Sequence, residues 1–495
     1  MPTTATASTA NASSPSTEPT APTAPNTAPN SKATARSSPN GVAGNGPAWF
    51  KIWTKSGQII EYGNTADSRI EAQGKTTARA WALNKIADTK GNTLTVSYTE
   101  DNANGDYYPQ RIDYTGNAAA SLTPNNSVQF VYETRPDITP LYQAGSLIKN
   151  TVRLKNVQTY AGSAQVKDYR LAYDTSTSTQ RSRLTGLTEC AGDGVCRSPM
   201  TLTWGDAGIN GVAFGSANAW TGGYGQASGW SDNNTYPRYL VDVNGDGLAD
   251  VVGFASTGVY VAKNAGTPLN LLKTAATGLG ATTSIAYTPL TDPTVYTKDT
   301  TAVYPLLDLQ SPLYVVSTVA SSNGIGGTVT TNYKYGGAKA DLSGRGFLGF
   351  RWLDATQIES GLTTHTEYRQ DWPYVGLPSL AKKTLPSGGN NGVLTQATNT
   401  YGCTNPQTGA ACIVATGNRY FPYLSQSIET GWDINGAGLP TVTTSNQYDP
   451  WGNPTQITIG TNDGYSKTTT NTYNNDSTNW LLGRLIKSTV TSTTP

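Results

Sequence analysis

Short runs in which every second side chain is apolar, each ended by turn residues, constrain this chain more than any other feature. Leu94, Val96 and Tyr98 alternate with threonine and serine; Val128, Phe130 and Tyr132 form a second set, and Tyr169, Leu171 and Tyr173 a third. Further along, Val329, Thr331, Tyr333 and Tyr335 share one face, as do Ile457 and Ile459. Period two places alternate side chains on opposite faces of a strand. Gly57, the Gly91-Asn92 pair, Gly105 and the Gly116-Asn117 pair supply turns that tolerate positive φ. Residues 76–84 are the nearest thing to a helix signal, and they are few. Composition agrees: 52 of 495 residues are glycine, tyrosine outnumbers phenylalanine 28 to 7, and only 14% are charged. The expected fold is all-β, built of many short strands.

Several function classes are excluded early. Lys and Arg number 34 against 33 Asp and Glu, so no basic footprint argues for nucleic acid. A single histidine, His365, rules out a His-cluster metal site within this chain. No apolar run approaches the roughly 20 residues of a membrane helix. The first 47 residues are Ala, Ser, Thr, Pro and Asn with little else, and Val42 is their only branched aliphatic. Such a stretch buries too little apolar surface to offset its ordering entropy and reads as a disordered linker. It has neither the basic start nor the apolar core of a secretory signal. The linker composition favours a start inside a longer polypeptide over export by another route, and a strand-and-turn pattern running to Pro495 reads as cut rather than finished. A secreted protein is expected, cytoplasmic before export.

The sharpest local signal is Asp242-Val243-Asn244-Gly245-Asp246-Gly247-Leu248-Ala249-Asp250. Side-chain oxygens fall at positions 1, 3, 5 and 9 of this loop, with the Leu248 carbonyl at 7. A hard cation such as calcium takes six to eight oxygens, and glycines let a short loop wrap it. The flanks, Tyr239-Leu240-Val241 and Val251-Val252-Gly253-Phe254, read as strands, and Gly253 stands where an EF-hand needs a bidentate glutamate. A structural calcium held by Asp242, Asn244, Asp246, Leu248 and Asp250 in a β-hairpin is expected; the plainer reading is an Asx-rich turn.

The four cysteines form two local pairs, Cys190 with Cys196 and Cys403 with Cys412, each bracketing a turn-rich loop. Disulfides in an oxidising compartment are expected, with free thiols as the alternative. Zinc is not, since neither pair has C-x-x-C spacing. His365 alternates onto the face of Thr363 and Glu367 and reads as a polar residue on a solvated strand face rather than a catalytic base. With no G-x-S-x-G elbow and no P-loop, the residues make no case for an enzyme.

Three stretches carry a family resemblance. Trp81-Ala82-Leu83-Asn84-Lys85-Ile86-Ala87-Asp88-Thr89-Lys90-Gly91-Asn92, with Tyr98 and Arg111-Ile112-Asp113-Tyr114 after it, resembles the N-terminal module of the SpvB and TcB proteins, the Salmonella virulence-plasmid B protein and the B components of insecticidal toxin complexes. Residues 242–250 resemble the calcium loop of FG-GAP or VCBS propeller blades. Tyr335-Gly336-Gly337-Ala338-Lys339, Gly344-Arg345-Gly346-Phe347-Leu348-Gly349-Phe350 and Tyr368-Arg369-Gln370-Asp371-Trp372-Pro373 resemble the family's middle module. Tyr448-Asp449-Pro450-Trp451-Gly452-Asn453 is similar to one YD (Rhs) repeat, and Leu482-Gly483-Arg484-Leu485 to the entry of more.

The resemblance implies a linker over 1–47, an SpvB-like β module over 48–205, an FG-GAP-like blade region over 206–300, a TcB-middle-like module over 301–385 and a Rhs/YD entry over 386–495. In architecture it implies antiparallel β-shell segments with an inserted partial β-propeller. In function it implies a non-catalytic scaffold segment of a secreted toxin that houses or delivers a C-terminal effector, partnered by toxin-complex subunits or that effector. The competing expectation is a secreted calcium-dependent, propeller-like adhesin or glycan binder, for which Trp220, Tyr224 and Trp230 would stack on sugars instead of filling a blade core. The family's ADP-ribosylating Glu-x-Glu motif is missing, so that activity is not implied.

Overall fold

In the computed structural model, residues 35–143, 145–205, 222–264, 268–405, 410–413 and 420–495 are described. Among them the regular structure is strand throughout, with three-residue 3-10 turns as the only helical pieces. Residues 76–84, the nearest helix signal, form the strands Ala78–Trp81 and Leu83–Ala87 instead.

The main body is one 25-stranded sheet. Its order follows the chain: nearly every strand pairs antiparallel with the strand before it and the strand after it. Trp49–Thr54 pairs with Ile59–Tyr62, Asn92–Asp101 with Asp106–Asn117, and so on to Ser466–Asp476 against Leu481–Thr493. The exception is Tyr296–Thr297, which adds in parallel beside Thr328–Gly336. Excursions from this ribbon build four small sheets. Arg69–Glu71 pairs with Ala78–Trp81, Pro140–Gln143 with Ser146–Lys149, and Arg238–Val241, Asp250–Ala255 and Gly258–Ala262 form a three-stranded meander. Leu306–Asp308, Lys339–Asp341 and Gly346–Phe347 form another.

The sheet begins earlier than its composition suggests. Ala35–Asn40, inside the expected linker, pairs with Trp49–Thr54 over six register positions, and Pro39 lies opposite Phe50. Main-chain hydrogen bonds supply this pairing, so small polar side chains suffice, and proline is tolerated because the strand is an edge. Residues 1–34 of the expected linker lie outside the described residues, as does Trp220.

The expected partial β-propeller is seen only as far as one small sheet. Among the described residues the inserted region contributes a single three-stranded meander, and no sheet closes on itself. Residues 205–271 are an excursion between Met200–Trp204 and Leu272–Ala276, which pair directly. The mouth is clipped shut: Gly205 N–H donates to Leu271 O at 2.7 Å and Asn270 N–H to Gly205 O at 3.0 Å.

Apolar burial concentrates where an excursion covers the ribbon. One core gathers Tyr62, Ala78, Trp81, Ala82, Leu83, Val96 and Tyr98 under the Arg69–Glu71 hairpin. Phe50 meets Trp81 edge-on at 4.9 Å, Trp81 Nε1 donates to Pro47 O at 3.0 Å, and Tyr98 Oη donates to Leu83 O at 2.7 Å. The second core gathers Leu290, Val295, Tyr296, Tyr335 and Ala338, with Phe350 and Leu353 against it. Elsewhere whole strands, such as Tyr314–Ser322 and Thr363–Tyr368, are half-buried at every position, so both faces meet solvent. The accessible surface is 28755 Å² for 52.2 kDa, where a compact monomer of that mass exposes about 17,500 Å². The surplus of about 11,000 Å² exceeds what the undescribed residues would expose even fully unfolded, about 9,000 Å². Away from the two cores, such half-buried strands have nothing packed across either face that buries them.

Beside the first core, Glu100 lies against Glu71, which also pairs with Arg69 at 3.2 Å. Burial, then the Glu71 charge, pushes the Glu100 carboxyl up to about 7. Its folded value lies above its unfolded one, so the protonated pair's stabilisation is complete below the ordinary glutamate range and is lost as pH rises to about 7. Glu100→Gln is therefore expected to melt close to the wild type at pH 4.5 and above it at pH 8. Parallel pH profiles for the two proteins would contradict this assignment.

Candidate functional site

The loop 242–250 joins Arg238–Val241 to Asp250–Ala255 and is organised by its own carboxylates. Asp242 Oδ1 accepts from the amides of Gly245 at 2.6 Å and Asp246 at 3.1 Å, and its Oδ2 accepts from Gly247 at 2.8 Å. Asp246 Oδ1 accepts from Leu248 N–H at 2.8 Å, while Asn244 Nδ2 donates to Asp246 Oδ2 at 2.8 Å. Asp250 is fully buried; Val243 N–H donates to its Oδ2 at 3.0 Å and Asn264 N–H to its Oδ1 at 2.7 Å. Those two amides hold the Asp250 carboxyl below the usual carboxylate range, so it is ionised and satisfied where it lies.

The loop is seated on the main sheet. Thr291 Oγ1 donates to Gly245 O, and Tyr314 Oη donates to Asp246 O. Burial, with Asp246 and Asp242 beside it, pushes the Tyr314 phenol up and keeps it a donor. Gly245 is required here: at φ +75°, a Cβ would lie 2.9 Å from Thr291. On the meander's other side, Trp230 and Tyr224 close over Gly253, where an added Cβ would meet the Trp230 ring at 2.5 Å. Trp230 is buried, meets Tyr224 at 5.2 Å and meets Tyr260 edge-on at 5.9 Å, so it packs as core against the meander.

As a cation site the loop offers the right donor chemistry in an arrangement already used. Asp242, Asn244 and Asp246 all take loop amides, Asp250 faces Val243 and Asn264, and among the described residues no three His, Cys, Asp or Glu gather around one point. The residues as placed form an amide-capped turn.

The YD-like corner is built by the same device. Asp449 Oδ1 accepts from the amides of Trp451 at 2.9 Å and Asn453 at 2.8 Å; its Oδ2 accepts from Asn453 Nδ2 at 2.7 Å and Asn475 Nδ2 at 2.9 Å. A repeated clamp, missed in the sequence, sits beside it. Asn471 Nδ2 and Tyr473 Oη both donate to Pro454 O, at 3.0 and 3.2 Å; Asn399 Nδ2 and Tyr401 Oη both donate to Pro378 O, at 2.9 and 2.8 Å. The signal was available, since Thr-Asn-Thr-Tyr occurs identically at 398–401 and 470–473.

His365 is not simply solvated. Its Nδ1 lies 2.5 Å from Asp354 Oδ1 on the adjacent strand and its Nε2 3.4 Å from Glu367 Oε1, with Trp352 alongside at 6.0 Å. Both ring nitrogens thus face carboxylates. Asp371, another scattered carboxylate, is paired with Arg369.

Cys190 and Cys196 are disulfide-bonded with Cα atoms 3.9 Å apart, and Cys403 and Cys412 with Cα atoms 5.4 Å apart. Each bond closes a short turn at the end of a hairpin, which limits its effect on the unfolded chain to about 2 kcal/mol. The native protein is expected to show no titratable thiol, and Cys190→Ser with Cys196→Ser to lower unfolding stability by about that amount. Four freely titrating thiols would contradict both bonds.

Comparison with known proteins gives a partial family match and a likeness of fold. Residues 224–376 match the family described as insecticide toxin TcdB middle/N-terminal region, a little under a third of the chain. Comparison with curated proteins finds no match. The chain is similar to the crystal structure of TcdB2–TccC3–Cdc42, with a TM-score of 0.63 at 10% identity over 92% of this chain and 41% of that one. It is similar to the Photorhabdus luminescens Tc holotoxin pore structure, with a TM-score of 0.64 at 10% identity over 93% of this chain and 40% of that one. At that identity the likeness is one of fold. The chain spans about two-fifths of the length of these structures. A match to the N-terminal domain of the effector SpvB has a TM-score of 0.27 and carries no argument.

Proposed function

We propose that this chain is a non-catalytic wall segment of a secreted toxin-complex protein of the TcB kind, which helps enclose or deliver an effector polypeptide. The observation that carries it is the sequentially ordered 25-stranded sheet, half-buried on both faces. A catalyst needs convergent, unpaired reactive groups in a sheltered pocket. Here the carboxylates of both loop motifs are engaged by amides, as in a framework. A container needs the opposite of a globule: much wall for little core. The match of residues 224–376 and the likeness to TcdB2–TccC3 assemblies support the same reading, with toxin-complex subunits or an effector as partners and the extracellular space as the place of action.

The reading is tested on the native product. Antibody against residues 49–495 is expected to recover, from producing cells and medium, this sequence joined to or stably bound by a toxin-complex subunit or effector. Recovery of a lone species near 52.2 kDa that binds glycans by itself would overturn it in favour of an adhesin.

Structural calcium at Asp242, Asn244, Asp246, the Leu248 carbonyl and Asp250 belongs to the same proposal, as a brace on the seated loop. Millimolar calcium is expected to raise the melting temperature over that in EDTA, and Asp246→Ala to remove the difference. Equal melting in both buffers for both proteins would leave the amide-capped turn as the whole account.

A further inference from the structure

An early and a late part of the ribbon meet at one side chain. Lys55 lies in the turn between Trp49–Thr54 and Ile59–Tyr62, yet its Nζ donates to Trp451 O at 3.0 Å, across 396 positions of sequence. Trp451 is the middle of the YD-like corner, whose carbonyls are presented by the Asp449 amide caps. Behind it Trp480 is buried and stands edge-on to Trp451 at 5.8 Å, and Asn453 is buried beside it. The lysine stem runs against Gly483: at φ +70°, a Cβ there would lie 2.9 Å from Lys55 Cε and 2.7 Å from Asn453 Oδ1. Burial lowers the amine's pKa, while the Asp449 charge opposes that shift. A half-buried ammonium, a presented carbonyl, a nearby carboxylate and a glycine that leaves room for the stem make a socket.

We propose that the 448–453 corner with Gly483 is a docking socket for the 54–58 turn of this same chain, with Lys55 as the group it receives. The contact stitches the late part of the wall to its first hairpin. Strand pairing does not do this among the described residues, because the sheet remains open between Ala35–Asn40 and Leu481–Thr493. This rests on reading the chain as a wall, and it adds what ties its late part to its first hairpin: a side chain of one hairpin gripping the main chain of another, in place of a continuous ladder.

The test is hydrogen exchange on the full chain. Lys55→Met is expected to speed amide exchange about tenfold both in the 54–58 turn and in residues 449–453, while Val96 and Tyr98 in the first core keep their protection. Lys55→Arg, which keeps a cationic donor, is expected to restore most of the protection at 449–453. Changes confined to the 54–58 turn would overturn the socket. If Lys55→Met does not fold, amine acylation of the wild type decides: Lys55 is expected to react about tenfold more slowly than the exposed Lys90, and equal rates would overturn the proposal. Both readouts use the isolated chain, so a failed search for a toxin partner leaves them standing.

Discussion

Everything in this structure depends on hydrogen bonding between strands that are neighbours in sequence. Each strand finds its partners on either side along the chain, so the ribbon is assembled from local pairings whose loop-closure entropy is small. Additions are then tolerated wherever the chain leaves and re-enters at the same rung. Two main-chain hydrogen bonds, Gly205 to Leu271 and Asn270 to Gly205, close the largest of these, and the ladder from Met200–Trp204 to Leu272–Ala276 continues beside them. The same logic admits the hairpin of Pro140–Gln143 and Ser146–Lys149 between Asn126–Thr134 and Val152–Ala161, which also pair directly.

A sheet built this way has two faces and little to bury them against. Its cores arise only where an excursion folds back: Trp81 and Ala82 over Val96 and Tyr98, and Leu290 and Ala338 over Tyr335. Between them the wall is held by main-chain ladders and by side chains that donate across strands, such as Tyr132 Oη to Pro109 O at 2.7 Å and Tyr335 Oη to Val316 O at 2.8 Å. That accounts for the excess of tyrosine over phenylalanine. A half-buried ring with a hydroxyl both packs on a strand and ties it to the next. Thr356 with Thr363 at 2.8 Å, and Thr318 with Asn332 at 2.8 Å, do the same on a smaller scale.

What was legible in the sequence follows from range. Alternation at Leu94, Val96 and Tyr98 marks a strand because the signal lies within five residues, and Asn92–Asp101 is that strand. The Asx loops at 242–250 and 448–453 were equally visible, because their carboxylates bond amides two to seven positions away. Ala35–Asn40 was not, since its pairing uses the main chain and its side chains carry no period. The expected partial propeller reaches no further than one three-stranded meander among the described residues. One blade-like loop is a true local feature, but the number of blades depends on how much chain the excursion contains. The seat of that loop, Thr291 and Tyr314 on the carbonyls of Gly245 and Asp246, and the meeting of Lys55 with Trp451 have no local signature, because each joins distant segments through a carbonyl that any residue possesses.

The central claim is that this chain makes a curved wall one sheet thick rather than a solid body. Single-particle electron microscopy of the purified native product tests it most directly. The account predicts a shell about 10 Å thick, the depth of one sheet with its side chains, curving around a solvent-filled hollow. A compact particle with sheets stacked face to face through its centre would contradict it.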